Sequence, residues 1–169
     1  MTKLGFLAAG LALAIPASSQ AAEISPAAMQ AAVRYALPQL VSGIRASCGN
    51  ELSASGFLAR NGQALEQRYA EGAETAWPAA RAALLQFGDN GKTGMGDMLG
   101  KLPDSALKPF VDATISSMVA TKLKPGQCPD VERGIELLAP LPPENVAGLV
   151  GFIFELKERE DRGKTASGG

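Results

Sequence analysis

The chain has 169 residues, of which 46% are apolar, 20% are charged and none is histidine. This length fits one domain, and the apolar share is large enough to fill a core, which excludes a wholly disordered chain. The formal net charge of −1 gives no electrostatic reason to expect binding to nucleic acid or to an acidic membrane surface. The lack of histidine removes the commonest general base and the commonest metal ligand together.

The N-terminus has the pattern of a secretory signal peptide. Lys3 precedes an uncharged apolar run, Leu4–Ile15, which Pro16 ends, and small residues occupy the −3 and −1 positions of a cleavage site after Ala21. The run is shorter than the about 20 residues that a membrane span needs, although a short N-terminal anchor is the alternative. We therefore predict that residues 1–21 are a signal peptide, that the protein is exported to the periplasm or secreted, and that the mature chain has no transmembrane segment.

Two cysteines, Cys48 and Cys128, lie 80 positions apart. Export to an oxidising compartment favours a disulfide, and two cysteines allow one pairing only. Closing so long a loop in the unfolded chain is worth about 4–5 kcal/mol in the entropic account. A reactive thiol pair is the alternative, but the CxxC spacing typical of such pairs is absent. We predict a structural disulfide.

The first half of the mature chain has helical periodicity and lacks long alternating runs of β-branched residues. Ser25 is a suitable N-cap for a first helix, which is expected to bend at Pro38 and to end at Gly49. A second helix is predicted over Ser53–Ala73. The Trp-Pro pair that follows predicts a break and then a third helix over Trp77–Gly88.

The second half begins with a glycine-rich segment, Asp89–Gly100, which we interpret as a loop, with a short helical turn at Met95–Leu99 as the alternative for that part. A fourth helix is predicted from Asp104, a fifth from Cys128, and a last one that runs to about Glu160, followed by a disordered tail at 163–169. The fourth helix has the most regular apolar stripe, formed by Leu107, Phe110, Val111, Ile115, Met118 and Val119. Together these elements predict an all-α fold: a single bundle-like domain of five to six helices over residues 22–162, with one disulfide.

The segment Val146–Phe154 in the last helix is apolar on all sides. A surface helix needs only one apolar stripe, so we expect this helix to lie at the centre of the fold with at least two sides covered. Gly148 and Gly151 would let a neighbouring helix or a ligand come close. These glycines, Phe152 and Phe154 are therefore the candidate contact residues for a ligand or a partner.

The glycine-rich loop partly matches two ligand-binding motifs. Gly91-Lys92-Thr93 has the end of a phosphate-binding P-loop, but the motif needs glycine where Gln86 stands and a preceding strand where a helix is predicted. A calcium loop starting at Asp89 would need oxygen ligands where Gly91 and Gly100 stand. We therefore predict no nucleotide site and no metal site here, and an incomplete cation site is the alternative.

No catalytic arrangement is visible in the sequence. Without histidine no Ser–His or Cys–His pair can form, and no catalytic residue or cofactor is predicted. Glu155 interrupts an apolar helix, which fits either the polar edge of that helix or a buried carboxylate with a raised pKa. The expected function is an exported binding or structural module that acts through protein contacts in the cell envelope. The alternatives are an enzyme of unidentified type and a binder of an apolar ligand or lipid between helices, the latter suggested by the glycine–phenylalanine segment and by Met29, Met95, Met98 and Met118.

Overall fold

The computed structural model describes residues 24–90 and 94–167. Across these residues the chain is helical and contains no strand, so the all-α prediction is confirmed. The predicted signal peptide at 1–21 and the central residues of the glycine-rich segment lie outside the described residues. The helices are α1 (Pro26–Cys48), α2 (Phe57–Asn90), α3 (Met95–Gly100), α4 (Asp104–Lys122), α5 (Cys128–Leu138), which follows a 3₁₀ turn at Pro125–Gln127, and α6 (Pro143–Ser167).

Helix α1 occupies the middle of the bundle. It begins as predicted, because the Oγ atom of Ser25 accepts a hydrogen bond from the backbone N–H of Ala28 at 3.2 Å, and it continues through the buried Pro38. It packs against α2, α4 and α6, whereas α6 has its extensive contacts with α1 alone. The prediction that the last helix is central is therefore wrong, and α1 takes that place.

Helix α2 is one continuous helix where the sequence predicted two. Pro78 lies inside it with its ring exposed, so the lost backbone hydrogen bond is on the solvent side. The buried side chains recur every three or four residues both before and after this proline. The two halves of the helix therefore present one continuous buried face. These buried residues are Leu58, Leu65, Tyr69, Ala73, Ala76, Trp77, Ala80 and Ala83.

Helix α4 buries less of its apolar stripe than its sequence predicts. Leu107 is fully buried, whereas about half of the surface of Phe110 and of Met118 is exposed. The reason is that α4 packs mainly on α1. The two helices approach closely at Gly43 of α1, where an added Cβ atom would lie 3.2 Å from the Cβ atom of Val119. A helix with one neighbour buries one narrow face, so part of a broad stripe stays in solvent.

The predicted disulfide between Cys48 and Cys128 is present, with Cα atoms 5.6 Å apart. Both cysteines are fully buried. The bond joins the C-terminus of α1 to the first residue of α5. It therefore fastens the second half of the chain to the central helix.

Arginine side chains connect several helix ends to the body of the bundle. Arg81 of α2 donates to the carbonyl of Gly100 at the end of α3, and Arg68 of α2 donates to the carbonyl of Ala139 after α5. Such carbonyls have no partner within their own helix, so the guanidinium groups satisfy acceptors that would otherwise depend on water. α6 differs from the prediction at its other end, since it continues to Ser167 and includes most of the segment predicted as a tail.

The glycine-rich segment contains a close crossing of α2 and α3 rather than a plain loop. A Cβ atom added to Gly96 would lie 2.5 Å from the carbonyl oxygen of Leu85, which is backbone and has little freedom to move. Gly88 is similarly constrained, because its added Cβ would lie 2.7 Å from the backbone nitrogen of Gly96. Gly88 and Gly96 are therefore needed for the close packing of α2 against α3.

Gly96→Ala is expected to lower the free energy of unfolding by about 1–3 kcal/mol, because α3 must move away from α2 to make room for the methyl group. Gly134→Ala is the matched control. Gly134 lies inside α5 with open space around its added Cβ, so alanine there should stabilise the protein by about 0.5–1 kcal/mol. Chemical denaturation of both variants checks the pair, and equal effects in the same direction would contradict the close crossing.

Candidate functional site: the outer face of α6

Helix α6 is attached to the bundle by one face. Val146 and Ala147 are buried, and Gly151 lies against α1, where an added Cβ would be 2.9 Å from the Cγ atom of Gln30. Phe154 is half-buried and packs against the cluster that contains Met29 of α1. This inner face follows the helical period and packs mainly against α1.

Four large apolar side chains form a second stripe on the opposite face of α6. Leu149, Phe152, Ile153 and Leu156 have exposed fractions of 43%, 51%, 57% and 45%. Their spacing of i, i+3, i+4 and i+7 is the spacing of a helix face that packs against another helix. We call these four residues the outer stripe. This part of α6 is apolar all round because it has two apolar stripes. The bundle covers the inner stripe and leaves the outer stripe exposed.

The structure separates the four residues that the sequence nominated as contacts. Phe152 points away from the bundle, and Phe154 points into it. Gly151 is buried against α1, whereas a Cβ added to Gly148 would meet nothing within 4 Å. Three further surface residues of this face were not singled out from the sequence, although their i, i+4, i+7 spacing was a signal for them: Leu149, Ile153 and Leu156.

Phe152→Ala is expected to change the free energy of unfolding by about 1 kcal/mol or less, because half of the ring is already in water. Phe154→Ala, two residues along the same helix, should cost about 2 kcal/mol, since that ring packs against Met29 and its neighbours. Thermal unfolding of the two variants side by side checks this. A larger loss for Phe152→Ala would restore the central position that the sequence predicted for this helix.

The positions of the remaining candidate residues are those expected of structural residues and do not form a site. The carboxylate of Glu155 lies 3.6 Å from Arg159 one turn away, at the polar edge of α6. Met29 is buried, whereas the side chains of Met95, Met98 and Met118 are about half exposed on two different helices, α3 and α4. In the part of the chain that the structure describes, no three cysteine or acidic side chains are grouped so that they could hold a metal ion.

The bundle also contains a partly buried polar contact that the sequence did not indicate. The hydroxyl of Tyr35 in α1 donates a hydrogen bond to Asp112 of α4 at 3.0 Å, and its ring centroid lies 4.7 Å from that of Trp77. Burial first, and then the hydrogen bond to the carboxylate, raise the pKa of Tyr35 well above its ordinary value. The phenol therefore stays protonated and acts as a hydrogen-bond donor that ties α1 to α4.

The clefts between the described helices include three with volumes of about 260, 310 and 390 Å³. The middle one separates α1, α2 and α6, and Arg34 and Glu144 form an ion pair of 2.6 Å at its wall. The largest is bordered by Phe57 and Arg68. None of the three is lined by a residue of the outer stripe, which is a convex helix surface.

Within residues 24–90 and 94–167, no single helix is both long enough and apolar enough to cross a membrane. The pair Pro125–Leu138 and Pro143–Asp161 meets the same test jointly, by length and composition only, with an angle of 119° between its two helices. Comparison with known proteins gave no match to a family model, to a curated protein or to a solved structure.

Proposed function

We propose that this protein is an exported helical module that acts through protein contacts in the cell envelope, and that the outer stripe of α6 is its contact surface. The observation that carries the proposal is the exposure of Leu149, Phe152, Ile153 and Leu156 on one helix face. The largest contiguous apolar patch on a monomeric soluble protein is often an interaction site. A stripe with helical spacing is suited to a partner helix or to a groove on a partner protein.

A protein partner accounts for this surface better than a small apolar ligand does. A small-molecule site buries most of its ligand in a concave pocket. The outer stripe is convex, and the cleft next to α6 is lined by alanines together with Arg34, Glu144, Gln30 and Thr75 rather than by large apolar side chains. A partner protein can cover a convex stripe because its own surface can provide the groove into which the stripe fits.

Two features support export. The N-terminal pattern is that of a signal peptide with cleavage after Ala21. The structural disulfide between Cys48 and Cys128 is a bond that persists in oxidising compartments and is rare in the cytosol. Intact-mass analysis of the exported protein tests the cleavage, and a mature form that retains Met1 would contradict it.

The contact surface can be tested with a photo-crosslinking amino acid at position 152 in cells that export the protein. We expect protein adducts of discrete mass, and we expect Leu149→Ser together with Leu156→Ser to remove them. The matched control is the same probe at position 137 in α5, because Leu137 is also a large exposed apolar residue, with 61% of its surface accessible. Equal adduct yields at positions 152 and 137 would overturn the proposed surface. It would also be overturned if a small apolar molecule co-purified with the wild type and was lost with the same double substitution.

A further inference from the structure

We propose that the cleft between α1, α2 and α6 binds a small zwitterion, which is a molecule with both an ammonium group and a carboxylate, such as a free amino acid or a short peptide. This goes beyond the proposed function, because the cleft is separate from the outer stripe. The cleft has a volume of about 310 Å³. That volume lies at the lower end of the range for small-molecule sites, which often lie between the helices of bundles.

Small side chains leave room for a ligand between the three helices. Both α2 and α6 pack on α1, and a methyl group fills little of the space between neighbouring helices. These methyl groups offer an apolar surface to the carbon atoms of a small ligand, without the large side chains that usually enclose a lipid or an aromatic compound. The apolar residues of the cleft are Ala27 and Ala31 from α1, Ala76 and Ala79 from α2, and Ala147 from α6.

The two charged groups of the cleft match the two charged groups of a zwitterion. The Nη2 atom of Arg34 lies 2.6 Å from a carboxylate oxygen of Glu144, so a cation and an anion stand side by side at the wall. A guanidinium group can bind a carboxylate with two parallel N–H donors, and a carboxylate accepts hydrogen bonds from an ammonium group. Gln30 and Thr75 border the same cleft and add an amide and a hydroxyl group.

The ion pair between Arg34 and Glu144 can give up its direct contact at small cost. The two side chains are 30% and 52% exposed, and an ion pair with this access to water contributes little to stability. A bound zwitterion replaces the contact with two others, one from its carboxylate to Arg34 and one from its ammonium group to Glu144. The Nε–H of Arg34 has no acceptor among the described residues, so part of the hydrogen-bonding capacity of the guanidinium group is unused.

Gly72 of α2 sets the position of this guanidinium group. A Cβ atom added to Gly72 would lie 2.7, 2.8 and 3.1 Å from the Nη2, Nε and Cζ atoms of Arg34. The group therefore lies directly against the backbone of α2, which is possible because glycine has no side chain. These atoms are at the end of a flexible side chain, so a methyl group at position 72 would displace the guanidinium group without moving a helix.

NMR titration of the isotope-labelled mature protein tests the site with two probes, L-alanine and L-alanyl-L-alanine. Ligands of roughly ten non-hydrogen atoms or fewer should bind weakly, with a dissociation constant of about 0.1–10 mM. We expect saturable shifts of the backbone amides at 27–34, 75–79 and 144–147, which surround the cleft. Saturation by alanine would assign the site to free amino acids, and saturation by the dipeptide alone would assign it to peptides. The absence of saturable shifts with both probes would overturn the proposal.

Two blocked probes test whether the site needs both charges. N-acetyl-L-alanine lacks the ammonium group and L-alaninamide lacks the carboxylate, and the dipeptide can be blocked at each end in the same way. Each blocked form should bind at least about tenfold more weakly than its parent, because one charged group of the cleft then has no partner on the ligand. If the blocked forms bound as tightly as the parents, the ligand would not be a zwitterion.

Gly72→Ala tests the position of the guanidinium group without removing its charge, and it should weaken binding about tenfold. The matched control is Gly148→Ala in α6, which should leave binding unchanged because its added Cβ meets nothing within 4 Å. Arg34→Gln should weaken binding at least as much as Gly72→Ala, and circular dichroism checks that all three variants are folded. Wild-type affinity in both Gly72→Ala and Arg34→Gln would place the probe elsewhere and overturn the site. The crosslinking experiment at position 152 decides the proposed function independently of these results.

Discussion

Replacing both Cys48 and Cys128 with serine should lower the free energy of unfolding by about 2–5 kcal/mol. The disulfide closes a loop of 80 positions in the unfolded chain, which is the kind of crosslink expected to restrict the denatured state most. In the folded state it joins α1 to the first residue of α5. Both sulfur atoms lie in the interior, so two serine hydroxyls there would also lack the apolar contacts of the bridge.

The loss should be greatest around α5, because this helix has few other connections to the bundle. Its contacts with α2 are sparse, and its polar ties are the hydrogen bond from the backbone N–H of Leu58 to Glu132 and the one from Arg68 to Ala139 just after its end. Amide hydrogen exchange in the serine variant should therefore rise more in α5 than in α1.

Denaturation in guanidinium chloride measures the stability change, and wild type kept under reductant is the matched control that should approach the serine variant. The native, non-reduced wild type should show no thiol that reacts with an alkylating reagent. Rapid alkylation of two thiols in that sample, or a serine variant as stable as wild type, would contradict the structural role of the bond.

Local chemistry made part of this fold predictable. Ser25 before Pro26 defines a helix start by capping alone, and the disulfide followed from export and cysteine number. These features depend on neighbouring residues or on counting. They do not require knowledge of which helix faces which.

The errors arose where packing decided the outcome. The missing N–H of Pro78 predicted a break in the helix. That prediction did not take into account that the buried residues before and after Pro78 lie on the same helix face. The apolar steps from Leu65 through Tyr69 and Trp77 to Ala80 keep one phase, so a single helix that packs along α1 retains more buried contact than two shorter helices would. The shared helix face can be recognised in the sequence, whereas the sequence does not show that α1 packs along it.

The outer stripe shows a limit of a different kind. Hydrophobic periodicity indicates that a helix face prefers to be covered, but it does not say whether the cover is the same molecule. Val146 and Phe152 look equally apolar in the sequence, yet one lies against α1 and the other faces solvent. The candidate site was therefore visible as a segment and became a surface only when the structure showed which face the bundle leaves open.

Trp77→Ala should lower the free energy of unfolding by about 3–5 kcal/mol, because it leaves a cavity where three helices meet. The indole packs against the ring of Tyr35 from α1 and belongs to the same buried cluster as Leu107 of α4, while the ammonium group of Lys108 lies 5.5 Å from its centroid. Truncation would therefore weaken the contacts of α2 with α1 and with α4 at once.

Phe87→Ala is the matched control for Trp77→Ala, since it removes an aromatic ring from the same helix at a position that is 45% exposed, and it should cost about 1 kcal/mol or less. Circular dichroism is the suitable probe, because Trp77 is the sole tryptophan and its fluorescence disappears with the substitution. Similar stability losses for the two variants would contradict the difference in burial between Trp77 and Phe87. A loss confined to Trp77→Ala follows from a continuous α2 whose inner face is the main contact of the central helix.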